Sequence, residues 1–120
     1  MAIILVVDHD ENSRNIVAWA LESERHRVFT AGNGAEGVAM FRSLADSIDL
    51  VITELHMPVM DGIQTILRIR MTKSKAKVVC MTAYPPDSLP KGVILLVKPF
   101  SNKELVSCVD QTLLSAVPVR

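Results

Sequence analysis

Five short apolar runs recur along the chain, at residues 2–7, 26–31, 50–53, 77–82 and 93–97. Each run is rich in β-branched residues and too short for three helical turns, so each predicts a β-strand. The first run, Ala2 to Val7, is continuously apolar rather than alternating, which indicates a central strand covered on both faces. The second run carries more polar residues, which places its strand nearer a sheet edge.

Helical spacing of apolar residues separates most of these runs. Asn33, Asp61 and Ser101 each precede such a segment and have Glu or Gln three residues on, the pattern of a helix cap. Helices are therefore predicted after Asp10, Asn33, Asp61 and Ser101. Apolar residues expected to face inward include Ile16 in the first helix, Ala35 and Ala39 in the second, and Ile63, Ile66 and Leu67 in the third.

The connection between the fourth and fifth strands breaks this alternation, because residues 83–92 contain three prolines. Such a segment cannot hold a long helix. Five strands alternating with about four helices predict an α/β fold with a doubly wound parallel sheet, because parallel crossovers are right-handed and place helices on both faces. We expect the flavodoxin-like order 2-1-3-4-5, with the fourth helix shortened or missing.

Composition favours one soluble globular domain, predicted over residues 1–116, with 117–120 as a tail or the start of a linker. Thirteen basic residues balance thirteen acidic ones, which argues against non-specific binding to nucleic acid or a membrane surface. No signal peptide or membrane-spanning run is evident in the sequence. Cys80 and Cys108 lie in apolar segments and are expected to be reduced, which is typical of a cytoplasmic protein.

Four polar side chains stand at equivalent ends of predicted strands. Asp8 follows the first strand, Glu54 the third, Thr82 the fourth and Lys98 the fifth. In the predicted strand order these ends surround one crevice, where open α/β sheets bind ligands. Singly, each has a simpler explanation as a helix cap, a core threonine or a solvated lysine, but the combination predicts a functional site.

The sequence resembles the receiver domains of two-component response regulators over almost its whole length. The resemblance rests on Val6-Val7-Asp8 with Arg14, on residues 51–62 with their Met-Pro-x-Met-Asp-Gly ending, on Met81-Thr82-Ala83, and on Lys98-Pro99-Phe100. It implies that Glu54 occupies the phosphoacceptor position and that Thr82, Ala83 and Lys98 occupy phosphoryl-binding positions. It also implies an Mg²⁺ site at Asp8 and His9, a histidine kinase or other signalling protein as partner, and an output domain after Arg120.

Two substitutions in this pattern affect the expected chemistry. In the family the acceptor is aspartate, and the longer Glu54 moves the carboxylate outward by about 1.5 Å, enough to impair in-line phosphoryl transfer severely. His9 occupies the place of the second metal-binding acid, and an imidazole is a poor ligand for Mg²⁺, so we expect weak or lost binding by Asp8, His9, Glu54 and His56. A Zn²⁺ or Ni²⁺ site built from Asp8, His9 and His56 is an alternative to exposed loop histidines.

Two further departures concern signal output. Many receivers carry an aromatic switch residue where this sequence has Leu95, so a switch pairing Thr82 with an aromatic ring lacks its second partner. Tyr84 is a candidate substitute, although a surface tyrosine is the simpler interpretation. The proline-rich segment also implies that the family's signalling face, built around the fourth helix, the fifth strand and the last helix, is remodelled.

These features favour an atypical receiver, a pseudo-receiver that acts as a protein-interaction module rather than an enzyme. Glu54 beside Lys98 is expected to imitate the phosphorylated state in part, by up to ~1 kcal/mol or about a fivefold shift in population. Slow phosphorylation at Glu54, Asp8 or His56 remains an alternative, as does a small metal-dependent phosphohydrolase. A flavin or nucleotide carrier is disfavoured because no Gly-rich phosphate loop is present. A homodimer is left open.

Overall fold

The computed structural model describes residues 1–115, and the tail predicted at 117–120 lies outside them. Five strands form one parallel sheet in the order β2-β1-β3-β4-β5. The strands are β1 (Ile3–Val7), β2 (Arg27–Ala31), β3 (Leu50–Glu54), β4 (Val78–Thr82) and β5 (Ile94–Val97). The helices are α1 (Glu11–Glu22), α2 (Gly34–Leu44), α3 (Gly62–Thr72) and α4 (Asn102–Leu114). The predicted flavodoxin-like fold and strand order are confirmed.

Helices cover the sheet on both faces, which explains why its central strands are apolar on both sides. One buried cluster joins α1 and α4 to one face and includes Ile4, Ile52 and Leu105. The second cluster joins α2 and α3 to the other face and includes Leu5, Val51 and Ile66. No helix within residues 1–115 has the length and apolar character needed to cross a membrane.

The predicted capping residues begin their helices. The side chains of Asn33, Asp61 and Ser101 each accept a hydrogen bond from a backbone N–H three residues on. Asp61 and Ser101 also form complete capping boxes with Gln64 and Glu104. These caps satisfy N–H groups that have no partner within the helix. They also fix the residues at which α2, α3 and α4 begin.

Several residues predicted to face inward are exposed instead. Ile16 of α1 is 59% exposed and Leu67 of α3 is 53% exposed, while Ala35 and Ala39 of α2 are also exposed. In α3 the buried side is formed by Thr65, Ile66 and Ile69. The expectation was wrong because spacing alone does not show which of two adjacent helix sides meets the sheet. In α4 the buried side includes Leu105 and Val109.

The connection from β4 to β5 contains no helix, as its prolines predict, since residues 83–93 form only bends, turns and irregular backbone. Arg70 of α3 holds this connection in place by donating to the carbonyl oxygen of Lys91 at 2.5 Å, and it also donates to the carbonyl oxygen of Ala76, before β4, at 3.3 Å. Burial lowers the pKa of Arg70 from its ordinary value. Because the β4–β5 connection has no helix, the layer formed by α2 and α3 has no further helix beside α3 within the described residues.

Candidate functional site

The carboxyl ends of four parallel strands meet at one edge of the sheet and bring three of the predicted site residues together. Asp8 follows β1 and Glu54 is the last residue of β3, the neighbouring strand. Lys98 follows β5, and its side chain reaches back toward both carboxylates. The strand ends place all three side chains, because residues at the carboxyl ends of parallel strands line one crevice at that edge of the sheet.

Glu54 and Lys98 form an ion pair at the centre of this site. The Lys98 ammonium nitrogen Nζ lies 2.5 Å from Glu54 Oε1, and the side chains are 26% and 10% exposed respectively. Such a charge-assisted hydrogen bond, sheltered from water, is stronger than one between exposed side chains. Because Nζ contacts Oε1, the lysine occupies the space directly in front of the Glu54 carboxylate.

The second oxygen of Glu54 is held by the protein backbone. Oε2 accepts from the N–H of Leu55 at 2.8 Å and from the N–H of His56 at 3.3 Å. Both oxygens of the carboxylate therefore have donors within the chain. This arrangement fixes the carboxylate in one orientation, folded back over the end of β3 rather than extended into solvent.

Asp8 is the more deeply buried acid, with its side chain 1% exposed. Its Oδ1 accepts from the N–H of Asp10 at 3.0 Å, while Oδ2 is buried with no hydrogen-bond partner. The nearest cation to Oδ2 is the Lys98 ammonium at 3.9 Å. Lys98 therefore lies between two carboxylates and supplies the positive charge that both require when buried.

Thr82 ends β4 at the same edge, but its hydroxyl bonds to the adjoining turn. The Thr82 Oγ1 donates to the carbonyl oxygen of Tyr84 at 3.2 Å and accepts from the Tyr84 N–H at 3.0 Å. Ala83 is exposed between them. The hydroxyl thus closes the turn after β4, and its described hydrogen bonds do not reach Glu54 or Lys98. Leu95 lies in β5 and is 37% exposed.

The two histidines predicted near the site lie at its rim. His9 is 47% exposed, and its Nδ1 is 3.9 Å from Asp8 Oδ1. The ring of His56 packs edge-on against Tyr84, with ring centroids 6.1 Å apart, and its Nε2 lies 3.4 Å from the Tyr84 carbonyl oxygen. His56 is therefore engaged with the turn that Thr82 closes.

The chemistry of these donors does not fit an Mg²⁺ ion. Asp8 Oδ2 is the free oxygen that a cation would take, yet the Lys98 ammonium already neutralises it together with Glu54. Within residues 1–115, no three His, Cys, Asp or Glu side chains are grouped to hold a metal. Mg²⁺ needs an oxygen-rich shell, and here the Lys98 ammonium competes for the carboxylates of Asp8 and Glu54.

Cys80 lies beneath the site in β4 and is fully buried. Burial, with added repulsion from Glu54 and Asp61, raises the pKa of its thiol to about 12. The thiol therefore stays protonated and unreactive at neutral pH. Cys80 and Cys108 are both free, as predicted.

The sequence interpretation missed several hydrogen-bonding groups around this site. The hydroxyl of Ser13, in the first turn of α1, accepts a hydrogen bond from Lys98 Nζ at 3.4 Å. The backbone N–H groups of Leu55 and His56 were also missed, since a sequence gives no direct indication of backbone donors. Arg14, noted only as part of a motif, donates to the carbonyl oxygen of Asp8 at 2.8 Å and so secures the end of β1.

Comparison with known proteins identifies the family to which this site belongs. The family model of the response regulator receiver domain matches residues 4–110. The chain belongs to the response regulator receiver domain family. It is thus a receiver domain of two-component signalling, as its motifs had suggested, and receiver domains are signalling modules.

Individual relatives agree with this assignment. The chain is 35% identical to the DNA-binding transcriptional regulator NtrC of Azospirillum brasilense, over 98% of this chain and 25% of that protein. It is 32% identical to the chemotaxis protein CheY of Treponema pallidum, over 92% of this chain and 81% of that protein. A crystal structure of histidine kinase ThkA in complex with response regulator protein TrrA contains a chain with 34% identity and a TM-score of 0.80, covering 96% of this chain and 100% of that one. The chain spans only 25–27% of the length of several transcriptional relatives.

Proposed function

We propose that this receiver domain is a pseudo-receiver, a regulatory module that acts by binding other proteins and is not phosphorylated in the usual way. The observation that supports this most strongly is the ion pair between Glu54 and Lys98. The lysine that would bind a phosphoryl group in a typical receiver already bonds to the acceptor-position carboxylate. The domain is not an enzyme in this proposal, since it turns over no substrate.

Phosphoryl transfer to Glu54 faces three obstacles. The attacking oxygen must be aligned with the phosphorus, and near-attack geometry tolerates errors of less than about 1 Å. Glu54 Oε2 is held by two backbone N–H groups, and Oε1 is held by Lys98. A metal that neutralises the phosphoryl oxygens lacks a suitable set of ligands, because His9 stands in place of an acid. Freeing the carboxylate would also leave its charge buried and unpaired.

The proposed role of the ion pair is to hold the domain in one state. Glu54 supplies a fixed negative charge where a phosphorylated receiver carries its phosphoryl group, and Lys98 responds to it as it would to phosphate. The imitation is partial, because a carboxylate has one charge and two acceptor oxygens, whereas a phosphoryl group has nearly two charges and three oxygens. Thr82, the expected switch residue, bonds to Tyr84 instead.

Partners of this domain would be signalling proteins. The ThkA–TrrA structure records a histidine kinase in complex with a response regulator, and the transcriptional relatives extend well beyond the matched region. By analogy, we propose a histidine kinase or another cytoplasmic signalling protein as partner, and an output domain that follows Arg120. Binding, rather than phosphorylation, would then control the output.

Incubation with acetyl phosphate and Mg²⁺, followed by intact-mass measurement, tests this proposal. We expect the mass to stay unchanged, since neither the carboxylate nor the metal ligands are arranged for transfer. A stoichiometric gain of about 80 Da, the mass of one phosphoryl group, would refute it and favour slow phosphorylation. Peptide mapping of the adduct would then distinguish Glu54 from Asp8 and His56.

A further inference from the structure

One face of β5 is uncovered because the β4–β5 connection has no helix. Leu95 pairs in register with Cys80, and Val97 pairs with Thr82. Side chains in register on neighbouring parallel strands point to the same face, which here is the face covered by α2 and α3. Leu95 and Val97 are nevertheless 37% and 44% exposed. An apolar strand face in a parallel sheet is normally covered by a helix.

The nearest side of α3 borders this uncovered face and is also apolar. Arg70 contacts the β4–β5 connection through Lys91 and so marks the side of α3 that faces β5. Leu67 lies three residues earlier, on the same side of the helix, and is 53% exposed. We call this apolar surface the α3–β5 face. It is formed by Leu67 of α3 and by Leu95 and Val97 of β5.

The size of this surface matches one helix. α3 packs on β3, and β5 lies two strands away, at about 10 Å for strands spaced roughly 4.8 Å apart. Helices packed side by side lie about 8–10 Å apart. A helix resting on β5 would therefore touch α3 as a neighbouring helix of the same layer.

The charges around the α3–β5 face indicate the character of that helix. Residues 62–98 hold seven of the thirteen basic residues but only one of the thirteen acidic residues, Asp87. Lys73 and Lys75 precede β4, and Lys91 precedes β5, so these exposed lysines share the edge of the sheet where the parallel strands begin. An occupant with acidic side chains at this edge would complement them.

We propose that the α3–β5 face binds an amphipathic helix of a partner protein, with its apolar side on Leu67, Leu95 and Val97 and its acidic side chains on Lys73, Lys75 and Lys91. The helix takes the place of the crossover helix that the chain lacks. Nucleic acid is the weaker candidate, because phosphate contacts would leave the three apolar side chains without a partner. This inference deepens the proposed function and rests on it, since it names the class of partner.

A designed peptide provides the test. A fluorescein-labelled peptide of about 16 residues, with leucines on one helical side and glutamates on the other, is titrated with the protein while fluorescence anisotropy is recorded. A second peptide has lysine in place of every glutamate, and a single-stranded DNA oligonucleotide is the third probe. We expect the acidic peptide to bind about tenfold more tightly than the basic peptide, and its affinity to fall as salt rises.

Surface variants locate the binding. Leu67→Gln, Leu95→Gln and Lys91→Glu should each weaken the acidic peptide about fivefold or more, since each removes a contact at the centre or the edge of the face. Leu114→Gln is the matched control, because Leu114 is 85% exposed on α4, which covers the opposite face of the sheet. Thermal melts verify folding, and Lys91→Glu keeps the test valid if an apolar variant unfolds.

The outcomes separate clearly. Equal affinity for the acidic and basic peptides, loss of binding in Leu114→Gln alone, or displacement of the peptide by the oligonucleotide would each overturn the proposal. The experiment needs no phosphodonor, so its failure would leave the acetyl phosphate result at Glu54 unaffected. Conversely, an 80 Da adduct would refute the pseudo-receiver while leaving peptide binding to be judged on its own result.

Discussion

Replacing Lys98 with methionine removes the cation that lies between Asp8 and Glu54 while preserving most of the side chain's volume. Their side chains are 1% and 10% exposed, so two buried carboxylates would lose their counter-charge. Removing one member of a buried pair costs about 3–5 kcal/mol. Because Lys98 is itself 26% exposed, partial screening reduces our expectation to about 2–3 kcal/mol.

Glu54→Gln should be milder than Lys98→Met. It removes the negative charge but leaves the ammonium 3.9 Å from Asp8 Oδ2, an oxygen that has no hydrogen-bond partner. The lysine can then turn to Asp8, and we expect a loss of about 1 kcal/mol. This difference between the two variants follows from Lys98 serving two carboxylates at once.

Thermal and urea unfolding of both variants measure the effect. With an unfolding entropy of about 2.1 cal/mol/K per residue, Lys98→Met should lower Tm by about 8–12 °C and Glu54→Gln by about 4 °C. Lys103→Met is the control, since Lys103 is exposed on α4 and should change stability by less than about 0.5 kcal/mol. If Lys98→Met were no more destabilising than Glu54→Gln, the lysine would not serve both acids and the reasoning would fail.

Three other predictions follow from the site and its surroundings. The double variant His9→Asp with Glu54→Asp should gain phosphorylation by acetyl phosphate, visible as an 80 Da adduct; if it gains none, the shortened β4–β5 connection also matters. Gly62→Ala should cost more than about 3 kcal/mol in urea unfolding, because its Cβ would overlap the carbonyl oxygen of Glu54, whereas a neutral result would mean that the turn can shift. Stability should fall above about pH 9, by about 1.4 kcal/mol per pH unit, because the Cys80 thiol ionises in the unfolded chain there but keeps its proton in the folded chain up to about pH 12. Cys80→Ala should flatten that slope, and an unchanged slope would contradict the assigned burial effect.

Much of the fold was predictable because its determinants are local. Continuous apolar runs identified β1 and β3, three prolines excluded a helix after Thr82, and Asp61 with Gln64 fixed the start of α3. The doubly wound sheet then followed from the handedness of parallel crossovers, and the strand order from the flavodoxin-like arrangement expected for five such strands. These features depend on neighbouring residues or on general rules of chain topology.

The site was harder to predict because its contacts depend on side-chain direction. The sequence placed Thr82 at the correct strand end, yet its hydroxyl bonds to Tyr84 because the turn after β4 offers both a donor and an acceptor nearby. Leu67 has helical spacing but is 53% exposed. Both outcomes depend on the shape of the β4–β5 connection, which the residue pattern of either element alone does not determine.

The most direct measurement is the backbone amide NMR spectrum of the domain before and after addition of beryllium fluoride with Mg²⁺, a complex that imitates a phosphoryl group on a carboxylate. Lys98 and two backbone N–H groups already bond both carboxylate oxygens of Glu54. We therefore predict no change in the amide chemical shifts of Leu55, His56 or the turn after Thr82. Saturable shifts at these amides, spreading to β5, would show that the carboxylate opens to receive a phosphoryl group and would contradict the pseudo-receiver account.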